Sequence, residues 1–313
     1  MVLVIGELCL DIIVHRPKSV CVLGEPVWAE EVNLIPGGSV FYAGATFNAL
    51  GLGVFLRAAV GDDWEGKYLI SELSRRGLAT GGIMQVKNRS TQKCIASCDG
   101  ENEHFIACSP PIGGFSQKIN FLLPELKLIY IAGYLMYPEM WEDKFASFLS
   151  KAKRIGVKIF LDTQCLPISP AKILGALNPD ILKNLDALIL NAKEAELLTE
   201  EKDIKEAAKR LYKLGAAIIV IKLGKKGSLV YEGENLLYSP AFAVRVRNTI
   251  GGGDVFGAAF AYGLLQGWTL KKASNFANAA AAFSIADRDE GKKIPILNEI
   301  LEFLARNREM TKE

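Results

Sequence analysis

Short apolar runs alternate with amphipathic stretches along most of this chain, and that alternation restricts its fold more than any other feature. "MVLVI" (1–5), "VFLRAAVG" (54–61), "LKLIYIAG" (126–133), "VKIFLD" (157–162), "LDALILN" (185–191) and "AAIIVIKLG" (216–224) read as strands. Between them, "SVFYAGATFNALG" (39–51), "GKYLISELSRRG" (66–77), "EMWEDKFASFLSKAKRIG" (139–156) and "EEKDIKEAAKRLYKLG" (200–215) carry helical periodicity. Strands this apolar, separated by helices, indicate a mainly parallel sheet covered on both faces. Several helical patterns stop at a glycine, the residue favoured just past a helix end. The last third is helical, with segments expected at 252–266, 270–286 and about 295–306.

Two stretches break the rhythm. Residues 12–36 ("IIVHRPKSVCVLGEPVWAEEVNLIP") and 91–108 ("TQKCIASCDGENEHFIAC") read as strands and turns, the second with a D-G turn signal at Asp99-Gly100. They are expected to form one small β-element, a lid made of two excursions from the core. The plain alternative is a pair of surface hairpins. The domain plan is thus an α/β core of 1–11, 37–90 and 109–313 and a β-lid of 12–36 and 91–108.

Charge excludes some partners. Lys+Arg number 37 and Asp+Glu 35, a net of +2, so no basic field argues for nucleic acid or an anionic membrane. The apolar start meets Glu7 and Asp11 at once and reads as a buried strand rather than a targeting segment. No run is long enough to span a bilayer. Cys9, Cys21, Cys94, Cys98, Cys108 and Cys165 include no C-x-x-C pair, and with only His15 and His104 they build no Cys/His zinc motif at standard spacing. Small core residues in a reducing cytoplasm are expected, although Cys94, Cys98 and Cys108 lie close together.

The segment "NTIGGGDVFGAAF" (248–260) places three glycines before an acid and a helical pattern. A helix start exposes unpaired N–H groups and a partial positive charge. Glycines let an anion approach that backbone. Gly251, Gly252 and Gly253 therefore suit an anion hole for a transferring phosphoryl group, with Asp254 placed to accept a proton from an attacking hydroxyl. A glycine-rich turn with an ordinary capping aspartate is the alternative.

"NTIGGGD" resembles the D-T-x-G-A-G-D signature of the ribokinase-like, or PfkB, carbohydrate kinases, and the resemblance extends along the chain. "PGGSVFYAGATFNALG" (36–51) is similar to the family's Gly-Gly signature and "AVGDDWEGKYLISELSRRG" (59–77) to its V-G-x-D-x-x-G continuation. "LNAKEAELL" (190–198) carries N-x-x-E, "VIKLGKKGSLVY" (220–231) resembles the nucleotide-loop strand, and "FANAAAAFS" (276–284) the late helix beside adenine. The resemblance implies a ribokinase-like three-layer α/β sandwich with a mainly parallel central sheet and a small β-sheet lid. It implies ATP with Mg²⁺ as cofactors, a sugar-like substrate (sugar, cyclitol or nucleoside), and a homodimer through the lid.

The resemblance also assigns residues. Asp254 is the base, and Gly251 to Gly253 hold the phosphate. Asn191 and Glu194 organise Mg²⁺, largely through water. Gly224 and Gly227 let backbone pass the nucleotide, Asn278 neighbours adenine, and Lys222 stands where relatives have Thr or Ser, meeting a phosphate or ending a strand. Asp11, Gly37 and Gly38 bind substrate. Tyr42 replaces a common sugar-contacting Asn. Asp162 and Gln164, in "FLDTQCLP", are further substrate candidates at a strand end, where parallel α/β sheets keep their ligands. Asn248 replaces a usual Asp, which leaves the monovalent cation of many relatives open. No arginine cluster lies near the Gly37 or Asp162 segments, which argues against a sugar phosphate. A kinase of sugar phosphates and a non-catalytic sensor stay as alternatives. "GDDWEGKY" (61–68) imitates a P-loop but ends in Tyr68, where Mg²⁺ needs a small hydroxyl, so it reads as a helix start. A dinucleotide enzyme would need a glycine-rich turn where the chain has "GELCLD".

Overall fold

The computed structural model describes residues 1–17, 28–99, 102–114, 125–164, 176, 178–287 and 294–310. Its frame is a nine-stranded sheet. In chain order the strands are β1 (Val2–Gly6), β4 (Val54–Gly61), β5 (Ile83–Val86), β8 (Leu128–Ala132), β9 (Lys158–Asp162), β10 (Ala187–Asn191), β11 (Ile219–Lys222), β12 (Ser228–Glu232) and β13 (Asn235–Ser239), and they lie in the order β13-β12-β11-β10-β9-β8-β1-β4-β5. All pairings from β5 to β11 are parallel, while β12 and β13 add an antiparallel edge. The expected parallel sheet is therefore present, with a hairpin added at one edge.

Alternate residues of one strand feed opposite faces, because side chains on a strand have a period of two. Val2 and Val4 join one buried cluster, Leu3 and Ile5 the other. The first cluster is packed by α1 (Ser39–Ala49), α2 (Trp64–Arg75), α7 (Gly252–Leu265), α8 (Leu270–Ile285) and α9 (Leu297–Met310). The second is packed by α3 (Asp143–Arg154), α4 (Pro179–Leu182), α5 (Ala192–Thr199) and α6 (Ile204–Lys213). The result is a three-layer sandwich. The P-loop imitation is the start of α2: Asp63 caps the helix, its carboxylate accepting from the Gly66 amide at 3.0 Å, so a carboxylate sits where a phosphate would need to be.

The two excursions join in one four-stranded sheet, ordered β3-β2-β6-β7, from β2 (Cys9–Pro17), β3 (Ala29–Gly37), β6 (Lys93–Asp99) and β7 (Asn102–Cys108). The central β2–β6 pairing is parallel and the outer two are antiparallel. This sheet starts at Cys9, three residues earlier than the expected boundary at residue 12. Asp11 lies inside β2, paired with Ile35 and Cys94, rather than at the end of the first core strand. Asp99 pairs with Asn102; Gly100, in the expected D-G turn, lies outside the described residues, as do Cys21 and Cys165.

Candidate active site

The C-terminal ends of β1, β9, β10 and β11 meet at one edge of the sheet, and the first turn of α7 lies over them. Gly251 precedes that helix with φ 77°, a left-handed conformation that costs a side chain free energy. A Cβ on Gly251 would also fall 2.4 Å from Cδ1 of Tyr42, whose ring lies against it. A Cβ on Gly252 would meet Ile285 at 2.7 Å, and one on Gly253 would meet only Lys222, its Nζ at 3.4 Å. Gly253 is the exposed member of the three. Gly252 donates its N–H to Thr249 O at 3.1 Å, whereas among the described residues no partner meets the amides of Gly253 or Asp254. The free donors thus sit one residue further along than the glycine run alone suggests. They point the helix's positive end toward the Lys222 side.

Asp254 is only 5% exposed. Burial raises its pKa to about 7, helped by Asp162 and Asp11 and opposed by Lys222 and by a hydrogen bond with Ser39. Ser39 is itself fully buried, and its hydroxyl also donates to Oε1 of Gln164, which has φ 40°. One hydroxyl proton cannot serve both acceptors fully. A protonated Asp254 that donates to Ser39, which in turn donates to Gln164, satisfies all three groups.

Lys222 and Asp162 form a two-pronged pair, Nζ lying 3.0 and 2.8 Å from the two carboxylate oxygens, with the Lys222 side chain 15% exposed. Burial works against the Lys222 ammonium, but Asp162, Glu194 and Asp254 outweigh it and hold its pKa raised. Asp162 is 0% exposed and also accepts from Tyr130 Oη at 3.4 Å. It lies under α7, with Gly257 making room for the Tyr130 hydroxyl. A buried carboxylate engaged with Lys222 has little left for a substrate, so the geometry gives Asp162 the task of fixing Lys222 instead.

On the other side, Asp11 lies flat on Gly37, whose missing side chain would otherwise fall 2.1 Å from Cγ of Asp11. Asp11 accepts from Cys9 Sγ at 3.2 Å and Tyr42 Oη at 3.4 Å. Gly38, at φ 82°, caps α1 where a Cβ would strike Glu7 O at 2.7 Å. A cavity of about 360 Å³ opens between the small sheet and the core, lined on one side by Ile13, His15 and Ile35 and on the other by Tyr42, Arg76, Arg247 and Asn248. Tyr42 stands between this cavity and Asp11, and Asp254 does not line the cavity itself. Arg76 and Arg247 are far from Gly37 and Asp162 in sequence, so reading those segments missed them; their partners, Glu72 at 3.6 Å and Glu31 at 3.8 Å, hold them loosely.

Asn191 and Glu194 form a capping box for α5. The Glu194 carboxylate accepts from Asn191 N, Asn191 Nδ2 and Thr163 Oγ1 at 2.8, 2.6 and 2.7 Å. Three donors take most of the acceptor sites of this buried carboxylate, and the arrangement fits an ion held through water, which Mg²⁺ readily accepts. Gly224, at φ 57°, faces open space. A Cβ on Gly227 would strike Ser239 O at 2.1 Å, so the protein's own backbone accounts for that glycine. Asn278 Nδ2 is spent inside the protein, on Ser228 Oγ, Ser239 O and Pro240 O at 3.1–3.3 Å, tying α8 to the β12–β13 hairpin.

Comparison with known proteins identifies the family of the chain. The model of the pfkB family carbohydrate kinases fits residues 1–297. The chain is 28% identical to the ribokinase of Bacillus subtilis, over 96% of this chain and 98% of that protein. It is 24% identical to the 5-dehydro-2-deoxygluconokinase of Geobacillus thermodenitrificans, over 96% and 91%. Among solved structures, ribokinase from Thermotoga maritima superposes with TM-score 0.76 at 27% identity, covering 97% of this chain and 99% of that one. Arabidopsis thaliana ribokinase, solved with ribose and ATP, gives 0.75 at 22% identity, covering 97% and 98%. The chain belongs to the pfkB family of carbohydrate kinases and is a phosphotransferase with an alcohol group as acceptor.

Proposed function

We propose that the protein moves the terminal phosphoryl group of ATP to a hydroxyl of a small sugar-like molecule, with Asp254 as the general base. The observation that carries this reading is the meeting of three things at the start of α7: unpaired amides at Gly253 and Asp254, the Lys222 ammonium beside Gly253, and a carboxyl with a pKa of about 7. A base poised near the working pH is what proton removal from an alcohol needs. The amides and the ammonium stabilise charge on the migrating group without reorganising. Mg²⁺, held through water by Asn191 and Glu194, would neutralise charge between the phosphates. Asn248 brings no charge, so the reading includes no monovalent cation. Tyr42 lines the cavity and packs against Gly251, and Ser39 bonds Asp254, so a substrate that reaches the carboxyl from the cavity has to displace both contacts.

A second reading concerns the acceptor. Arg76, Arg247 and His15 all line the cavity, a donor set suited to a carboxylate or phosphate on the sugar. The relative named for 5-dehydro-2-deoxygluconate acts on a sugar acid, which agrees with that chemistry. Arg76 and Arg247, remote in sequence from Gly37 and Asp162, bring to the cavity the positive charge that a sugar phosphate needs. An ADP-release assay with ATP or ADP as donor, across neutral sugars, cyclitols, nucleosides, sugar acids and sugar phosphates, tests both readings. No phosphorylation of any acceptor in that panel counts against the first. Turnover of neutral sugars alone counts against the second.

A homodimer through the small sheet is part of the proposal. β3 is an edge strand; Val32 and Leu34 expose 55% and 44% of their surface along it, and Trp28, just before it, exposes 77%. Such an edge invites pairing with a second copy. Light scattering on the V32E/L34E double variant should report half the wild-type mass; a monomeric wild type removes the idea.

A further inference from the structure

A cluster of thiols lies at the root of the small sheet, and the phosphoryl-transfer reading leaves it unused. Glu7, Cys9 and Cys94 each offer one ligand atom, and the three atoms lie within 4.8 Å of one another, all buried. Cys108 is paired with Cys94 across β6 and β7 and hydrogen-bonds to it. Cys108 is half-buried, which gives the cluster a route to solvent. The nearness of Cys94 and Cys108 is visible in the order of residues, but Cys9 joins them only when β2 pairs with β6.

We propose that Glu7, Cys9 and Cys94, with Cys108 as the fourth donor, bind one thiophilic divalent cation such as zinc(II). A tetrahedral ion with Zn–S bonds of about 2.3 Å sets its ligands about 3.8 Å apart, and the three atoms need move little to reach that spacing. The donor set of thiolates and one carboxylate suits zinc rather than magnesium or calcium. Gln92 orients the carboxylate, its Nε2 donating to Glu7 Oε1 at 2.7 Å and standing 4.0 Å from Cys94 Sγ. Such an outer partner is usual behind a metal ligand. The other amide atom, Oε1, is buried without a hydrogen-bond partner among the described residues, an acceptor available to a metal-bound water.

Binding releases the S–H protons of the ligating thiols to solvent. The Cys9 proton now points at Asp11 Oδ1, so ligation removes a donor from the carboxylate placed to hold the sugar. An occupied site is thereby linked to the substrate end of the cavity.

The test uses the full chain, stripped of metal and kept reduced, titrated with Co²⁺. The expected result is a thiolate-to-cobalt charge-transfer band that saturates at one equivalent and is displaced by Zn²⁺. Cys9→Ser and Cys94→Ser should each abolish or at least halve the band, while Cys98→Ser leaves it intact. A second readout needs no variant: Zn²⁺ should slow iodoacetamide labelling of Cys9 and Cys94 by about tenfold or more in the wild type, mapped by mass spectrometry. Absence of the band in the wild type overturns the proposal. So does a band unchanged in both serine variants, or Zn²⁺ protection confined to other cysteines.

Discussion

Replacing Asp254 with Asn should stabilise this protein at alkaline pH while nearly abolishing its turnover. The buried carboxyl has its pKa raised from 3.8 to about 7. At about 1.4 kcal/mol per unit, ionising it in the folded state costs about 4 kcal/mol more than in the unfolded chain. The group is 5% exposed, so water screens little of this. Between those two pKa values the native state binds the proton and the unfolded state does not. Stability from this group is therefore present at low pH, declines as pH rises through the window, and levels off above about 7. Asparagine is neutral throughout and escapes that decline. Moving from about pH 5.5 to about pH 8.5 should shift the stability difference in favour of Asp254→Asn by about 2 kcal/mol. Urea unfolding of both proteins at the two pH values measures this. An ADP-release assay on the same samples should show turnover down by about 10²-fold or more with binding largely kept. A stability gap that does not change with pH would refute the buried-carboxyl argument, and unchanged turnover would refute the base.

Other perturbations follow from the same geometry. Lys222→Met strands the Asp162 charge in the core and should cost about 3–5 kcal/mol in denaturant unfolding. Because Lys222 holds the Asp254 pKa down, the acidic limb of the kcat/KM profile should move to higher pH; a limb that stays near 7 contradicts that coupling. Arg247→Met should raise KM for acidic sugars by about tenfold or more and leave neutral ones unaffected, since the lost contact is to a charged group. Gly251→Ala should destabilise by about 2 kcal/mol or more through its left-handed backbone and the clash with Tyr42. Part of that loss should return in the Gly251→Ala/Tyr42→Ala double variant, as a double-mutant cycle would reveal.

Much of the frame is legible in the residue order. The helix over 39–51 forms over Ser39–Ala49, and that over 200–215 over Ile204–Lys213, since each carries its own periodicity and stop signal. The antiparallel β12–β13 edge escaped because a short apolar run carries no mark of direction; only its neighbour β11 sets it. The N-x-x-E pattern of Asn191 and Glu194 is legible in the residue order, but the burial of Glu194 and its bond from Thr163, 31 residues away, come only with folding.

Period-two and period-3.6 patterns and glycines that need special backbone angles act over a few residues, and so the chain alone determined the sandwich, the helix starts and the position of the glycine turn before α7. The Lys222–Asp162 pair, 60 residues apart, could come only from the tertiary structure. The same holds for the Arg76–Arg247 wall of the cavity and the meeting of Cys9 with Cys94. These depend on which strand lies beside which and on what desolvation then does to a charge. That information arises only when distant segments are packed together, because burial and proximity, unlike periodicity, are properties of the folded whole.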